Sequence, residues 1–245
     1  LHYAHLAAAA GGVDGFILCS ELRGLTQSRD AAASYPFVAA LADLAADVRA
    51  ILGPTTKLTY GADWSEYFGH HPQDGSGDVF FHLDLLWASS DIDAIGVDTY
   101  WPLADWRDGR DHADWQAGQL VLHDLRYLKS NLRGGEGYDW YYTSDEDREI
   151  QLRTPITDGE AGKPWVFRFK DIRTWWENAH YDRPRQPHGF PNPSHSGLRK
   201  SAVRPSTRAR TNRTSSLIPR ATRVRVPTSP RVRATISFSV FISRR

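Results

Sequence analysis

Residues 1–182 predict a parallel α/β domain, and a low-order basic tail is expected from 183 to 245. Three observations carry this reading. Short apolar runs bounded by glycine or polar residues alternate with segments of helical periodicity, which is the rhythm of βαβ units. Each apolar run ends on a carboxylate. The composition also breaks at Asp182: the first 182 residues hold all 29 acids, all nine Trp and all ten Tyr, with 15 Lys+Arg, whereas 183–245 hold the other 15 Lys+Arg and no acid. The near-neutral total of +1 therefore describes neither part.

Taken in order, LHYAHLAAAA at residues 1–10 is made of strong helix formers and closes on Gly11-Gly12, a helix end. Val13 to Cys19 is short, mostly apolar and flanked by turn residues, as a strand buried on both faces would be. From Ser34 to Leu52, Phe37, Val38, Leu41, Leu44, Ala45, Val48, Ile51 and Leu52 recur at three and four, with Ser34 as the expected N-cap and Gly53-Pro54 as the stop. Lys57 to Ala62 predicts a second strand, Val79 to Ala88 a short helix, and Asp93 to Val97 a third strand. Beyond Pro102 an insertion rich in Asp, Trp and Tyr carries expected helices near 112–132, 145–153 and 168–178. Gly134-Gly135-Glu136-Gly137 lacks the strand-to-helix setting of a phosphate loop and reads as a turn.

Only the first 182 residues have the apolar and aromatic content for a core, so one domain is expected. With a single cysteine, Cys19, no intrachain disulfide can form, and stability must come from packing. Cys19 itself reads as a small core residue. No apolar run approaches the roughly 20 residues that span a bilayer, and the start lacks the basic flank of a signal peptide; the expectation is a soluble body with no membrane span. A chain that begins at Leu1 and contains no methionine reads as a segment of something longer.

Ligands of parallel α/β folds sit at the carboxyl ends of strands. Here those ends deliver Ser20, Glu21 and Arg23; Asp63, Trp64, Glu66 and Tyr67; and Asp98, Tyr100 and Trp101. Carboxylates beside aromatic rings suit sugars, whose CH faces stack while their hydroxyls need acceptors, and the corresponding reaction is glycoside hydrolysis. That reaction uses two carboxylates, and Glu21 can supply only one of them. Asp63, Trp64, Tyr67, Asp98, Tyr100 and Trp101 are the expected substrate contacts. The plainer alternatives are that Glu21 pairs with Arg23 or caps its loop, that Asp63 and Asp98 cap turns, and that the aromatics are packing.

The segments GFILCSELRGLT, KLTYGADWSEYF, DLLWASSDIDAIGVDTYWPL and GKPWVFRFKDIRTWW, in this order over nearly all of 1–182, together resemble the TIM-barrel-like domain of gene transfer agent and phage tail-tip host-specificity proteins. The resemblance implies a partial (β/α)8 barrel of the glycoside-hydrolase type holding about strands four to six, with Glu21 at the end of strand four, the usual place of the acid/base and hence the expected proton donor. It implies cell-envelope polysaccharide or peptidoglycan and other phage tail proteins as partners, no cofactor, and a parent located in a phage-like particle made in the bacterial cytoplasm. The second catalytic carboxylate of such barrels arrives on strand seven in a Trp-Phe-Thr-Glu-Ile-Gly-like word that is absent here. Read one base earlier, the codons of Asn192 to Val203 permit QSKPFWFTEIGCP, with the glutamate straddling the codons of Arg199 and Lys200. A frameshift between about Asp182 and Asn192 is therefore expected, and with it an inactive fragment. A noncatalytic glycan-binding or structural tail-tip module is the alternative.

The tail's fifteen basic residues also admit nonspecific phosphate contacts, but with three Phe as its only aromatics and no helical periodicity, nucleic acid is the weakest partner class. Disorder is expected there, with Thr235 to Ile242 as an isolated β segment. His70-His71 near Asp74 and Asp78 sit in a Gly/Pro-rich loop that does not bring zinc ligands together, so no metal is expected.

Overall fold

The computed structural model describes residues 1–184 other than 32 and 160, and the backbone of 235–243. Of residues 1–184, two units are distinguished, one built on Leu1–Asp98 and 176–184, the other on Thr99–Trp175.

In the first unit the helix α1 (His2–Ala9) leads into strand β1 (Gly15–Ser20), a single helical turn α2 (Arg23–Thr26), the long helix α3 (Pro36–Leu52), strand β2 (Lys57–Asp63), the turn α4 (Asp84–Trp87) and the first part of strand β3 (Ala94–Pro102), whose residues from Thr99 on are assigned to the second unit. β1 pairs in parallel with β2, and β2 with β3. This is the α/β arrangement with a parallel sheet that the alternation predicts. The periodic face of α3 buries Val38, Leu41, Ala45 and Val48. Val48 meets Ala4 of α1 and Leu58 of β2, with Phe16, Leu18, Leu44, Ile51 and Leu52 packed around them. Two helices thus cover the Leu58 face of the sheet, and by strand alternation Thr59, Gly61 and Asp63 take the opposite face.

The amino ends of the strands are tied together by charge. Arg49 near the end of α3 donates to the carbonyls of Gly53 (3.0 Å), Thr56 (2.5 Å) and Asp91 (3.0 Å) and to Asp93 Oδ2 (2.5 Å). Asp93 also accepts the Leu58 N–H (2.9 Å) and the Lys57 ammonium (3.0 Å), and these donors hold its carboxyl below the usual range despite partial burial. The carboxyl ends are left to loops.

Several boundaries differ from expectation. Ser34 does not cap α3: Tyr35 is the N-cap residue and makes no side-chain cap bond, while Ser34 directs its N–H and hydroxyl to Asp30 (2.9 and 2.6 Å). Pro36 at the helix start needs no cap for a missing N–H. Gly53 does stop the helix, at φ 78°. The helix expected over 79–88 shrinks to α4, because Val79 and Phe80 are drawn into antiparallel bridges with Arg183 and His70. β3 runs on through Asp98 to Pro102, so Asp98, Tyr100 and Trp101 lie within the strand.

The second unit contains α5 (Ala113–Gln116), α6 (Leu125–Ser130), β4 (Trp140–Tyr141), α7 (Asp145–Glu149), β5 (Thr154–Pro155) and, ending just beyond it, α8 (Ile172–Glu177); β4 and β5 pair antiparallel. The helix expected over 112–132 is broken into α5 and α6. Gly118 takes φ 91°, and α6 starts afresh at Asp124, whose carboxylate accepts the Arg126 N–H (2.7 Å). The helix expected over 145–153 ends at Glu149, two residues before Gln151 enters the left-handed region at φ 56°. The Gly134–Gly137 segment is a turn, with Gly135 and Gly137 at φ 68° and 81°. No described helix is long and apolar enough to cross a membrane.

Most of the basic tail, including the codons proposed to hide a glutamate, lies outside the described residues. Its strand β6 (Thr235–Ser243) is not isolated as expected: it joins the sheet in the order β1-β2-β3-β6.

Candidate functional site

The carboxyl end of β1 is shaped by an irregularity. Pairing with β2 shifts register between Ile17 and Ser20, the signature of a bulge, which bends a strand and re-aims the side chains beyond it. Ser20 then stands opposite Gly61, and the Glu21 N–H donates to the Gly61 carbonyl (2.8 Å). Glu21 is exposed and holds φ 56°, a left-handed conformation uncommon for a residue with a Cβ. Such backbone persists where neighbours over-determine it.

Here the constraint comes from β2 and its exit loop. The next amide, Leu22 N–H, donates to the Tyr60 hydroxyl (2.9 Å). That hydroxyl donates in turn to Glu66 (3.0 and 3.1 Å to its two oxygens). The Thr26 hydroxyl also donates to Glu66, and so does the Asp63 N–H (3.1 Å). Glu66 is fully buried, and burial pushes its carboxyl up against these donors, which pull it down. Burial and the Glu66 carboxylate together push the Tyr60 phenol up, so it stays a protonated donor.

β2 exits through Asp63, whose Oδ1 accepts the Ser65 N–H (2.8 Å) and hydroxyl. Asp63 thus caps its exit loop through this oxygen. Arg23 crosses to Ser65 Oγ (2.9 Å) and Gln27 Oε1 (3.2 Å), tying the β1 exit to the β2 exit. Asp63 stands in register beside Asp98 of β3. Asp98 leans across Gly61: a Cβ at Gly61 would lie 3.2 Å from Asp98 Oδ2 and 3.1 Å from Ser20 Cβ. Glycine at this point lets Ser20 and Asp98 close over the middle strand.

Of the expected aromatic contacts, Tyr67 is 2% exposed and Trp101 5%, so both rings are enclosed. Trp64 is half-buried. Tyr100, 44% exposed, and Trp101 belong to the second unit. Cys19 is half-buried, and burial pushes its thiol up, away from reactive thiolate. Among the described residues no cluster of three or more His, Cys, Asp or Glu has the arrangement of a metal site. Sequence reasoning noted Glu66 only as one of several strand-end residues and missed the Tyr60 and Thr26 partners. Its available signal was the Asp63-Trp64-Ser65-Glu66 word, an acceptor with Glu three residues later, as in a capping box.

The second unit has a separate cavity of about 180 Å³, lined among others by Asp105, Asp114, Glu136, Asp139, Trp140 and Arg153. Three of its four acids are held in ion pairs. Arg153 reaches Asp105 (2.8 Å) and Asp114 (2.7 Å) and lies 4.3 Å over the Trp140 ring; Arg107 holds Asp105 (2.8 Å) and Arg148 holds Glu136 (2.9 Å). The Tyr142 hydroxyl donates to Asp105 (2.5 Å), and burial with this bond pushes its phenol up to about 12.

A three-stranded parallel run with helices on one face, loops at the carboxyl ends and a polar opposite face is a segment of a barrel wall. The family model described as the GTA TIM-barrel-like domain matches residues 1–196. The chain belongs to this family. The match spans all of the described α/β body and ends inside the basic segment. No curated protein matches the chain. Membership in the GTA TIM-barrel-like family fits the parallel sheet and the placing of polar groups at the strand exits; it leaves the chemistry to be argued from the residues.

Proposed function

We propose that this domain handles cell-envelope glycan in a phage-like or gene transfer agent tail protein, as a glycoside-hydrolase-like barrel segment in which Glu21 is the proton donor. The observation that supports this most is Glu21 itself: an exposed carboxylate, held in a left-handed backbone conformation directly after a bulged parallel strand. Strain is tolerated where function requires a side chain to be aimed. In the proposed step the Glu21 carboxyl gives its proton to the glycosidic oxygen as the C–O bond breaks. A second carboxylate then takes the anomeric carbon directly or activates water to do so.

Of the neighbouring acids, we read Asp98 as an acceptor for a sugar hydroxyl, and neither Asp63 nor Glu66 suits that second role. Asp63 is engaged in capping Ser65, and Glu66 is fully buried. We place the partner on a further strand, in the glutamate that the alternative frame across Arg199 and Lys200 permits, and read the present chain as inactive. The alternative, a noncatalytic glycan-binding or structural tail-tip module, is favoured by the same lack of a suitable second acid.

The test expresses this chain beside a frame-restored full barrel and assays both on peptidoglycan and on surface polysaccharide. Hydrolysis is expected from the restored barrel alone and is expected to fall at least 100-fold in its Glu21→Gln variant, the usual scale of general acid–base catalysis. Cleavage by the present chain, or unchanged hydrolysis in the variant, overturns the proposal. Binding without cleavage in the restored barrel establishes the alternative. DNA sequence across codons 182–192 decides the frame.

A further inference from the structure

We propose that Glu66 and Tyr60 are a positioning pair for Glu21, acting through the Leu22 amide to hold the β1 exit turn in its left-handed form. That the positioned group is a proton donor rests on the preceding proposal; the hold itself does not. One carboxylate collects three donors from two segments far apart in sequence: Thr26 at the end of α2, and Tyr60 and the Asp63 amide of β2. It is 0% exposed and forms no ion pair among the described residues. A buried, uncompensated carboxylate is costly, so its three donors are what keep it in place.

The direction of the chain of bonds matters. With the Thr26 hydroxyl and the Asp63 amide donating to it, Glu66 acts as an acceptor, and a phenol has a single proton. With that proton committed to Glu66, the Tyr60 oxygen can turn only a lone pair toward Leu22, and the Leu22 N–H fills it at 2.9 Å. The amide on one side of Glu21 is thereby fixed by Tyr60 and the amide of Glu21 itself by the Gly61 carbonyl at 2.8 Å. Both anchors belong to β2, on adjacent residues. With its two flanking peptide groups held to one rigid strand, Glu21 keeps φ 56° and its side chain departs from the sheet in one direction. Glu66 has no exposed surface with which to meet a substrate, so its role is exerted through Tyr60.

The test uses the full chain and reads no activity, so its failure is separate from any failure of the hydrolase reading. Amide hydrogen exchange is measured in wild type, Tyr60→Phe, Glu66→Leu and Glu66→Gln, together with the three-bond HN–Hα coupling of Glu21. Losing one hydrogen bond accelerates exchange of the Leu22 amide by on the order of tenfold. That acceleration, with a changed Glu21 coupling, is expected in Tyr60→Phe and Glu66→Leu while β2 and β3 amides stay protected. Glu66→Gln keeps a carbonyl oxygen for Tyr60 and is expected to restore most of the protection. The inference is overturned if Leu22 exchange is unchanged in both disruptive variants, or rises only in step with the strand amides. Should neither of those variants fold, an unprotected Leu22 amide in wild type beside protected β2 amides overturns it equally.

Discussion

His82 provides a quantitative test of the first unit's packing. It is 5% exposed, neither ring nitrogen has a hydrogen-bond partner, and the Tyr35 and His70 rings lie 5.3 and 5.8 Å away. Burial first, and the neighbouring His70 second, push its pKa down from 6.5 to about 3. The folded state therefore refuses a proton that the unfolded chain accepts below about pH 6.5. Stability from this group is fully present above that pH, declines as pH falls, and stops declining near pH 3, where the folded form also protonates. At about 1.36 kcal/mol per pH unit, the change from pH 7 to pH 5 costs roughly 2 kcal/mol, or on the order of 4–8 °C in Tm for a domain of this size.

The assay is urea denaturation at pH 7 and pH 5 for wild type and for His82→Phe, which fills similar space without titrating. Wild type is expected to lose about 2 kcal/mol more than the variant between the two pH values. Other titrating groups are common to both proteins and cancel in the difference. At pH 7 the variant should be close to wild type, since replacing an unsatisfied polar ring by an apolar one of like shape is near neutral. Equal losses in the two proteins would refute the buried, neutral assignment of His82 and with it the packing around Tyr35.

Two further substitutions probe points where the sequence leaves no freedom. Lys170, 2% exposed, gives its ammonium protons to the carbonyls of Pro102 (2.5 Å), Asn131 (3.0 Å) and Gly134 (3.1 Å), while burial lowers its pKa to about 8; Lys170→Met should destabilise by about 3 kcal/mol, read by urea melts, and a loss below about 1 kcal/mol would mean those carbonyls find water instead. Gly96→Ala would place a Cβ 2.6 Å from the Tyr60 carbonyl, a clash with backbone of the central strand, and should cost roughly 1–3 kcal/mol in the same assay; a neutral substitution would contradict the β2–β3 register.

The elements legible in the sequence are those whose fate was decided locally. α3 declared itself because a three-four apolar period over seventeen residues has one economical solution, a helix with a buried stripe. β1, β2 and the start of β3 were legible because short apolar runs between turn residues leave little else, although β1, expected to be buried on both faces, has no fully buried residue and leaves Ile17 51% exposed. Val79 to Ala88 was misread because its apolar residues answer to distant partners: Val79 and Phe80 pair with Arg183 and His70, and the Phe81 N–H is taken by Asp182 (2.8 Å). Periodicity carries no information about bonds made across a hundred residues. The same holds for Ser34, whose cap-like identity was outcompeted by Asp30 four residues earlier. At the site, Glu21 and Asp63 stand at the carboxyl ends of β1 and β2 as the strand-end rule expects, whereas Asp98 lies in the middle of β3, and the rule could not say that Tyr67 and Trp101 are enclosed, since an aromatic near a strand end packs as readily as it stacks.

The buried Glu66 is the residue where stability and purpose diverge. Burying an unpaired carboxylate costs several kcal/mol before its hydrogen bonds return anything, and an apolar residue of similar volume would often serve the core as well or better. In the sheet it is surrounded by groups that need fixed geometry for reasons of their own: the Asp63 loop, the α2 turn and the Tyr60 phenol that holds Leu22. All three lie at the carboxyl ends of β1 and β2 or point toward them, whereas the amino ends are secured by the partly exposed Arg49–Asp93 pair. A fold needing only stability would have little reason to bury so costly a carboxylate at the strand exits. The cost is intelligible if the β1 exit must be rigid, and the Leu22 amide is the atom on which that reasoning stands or falls.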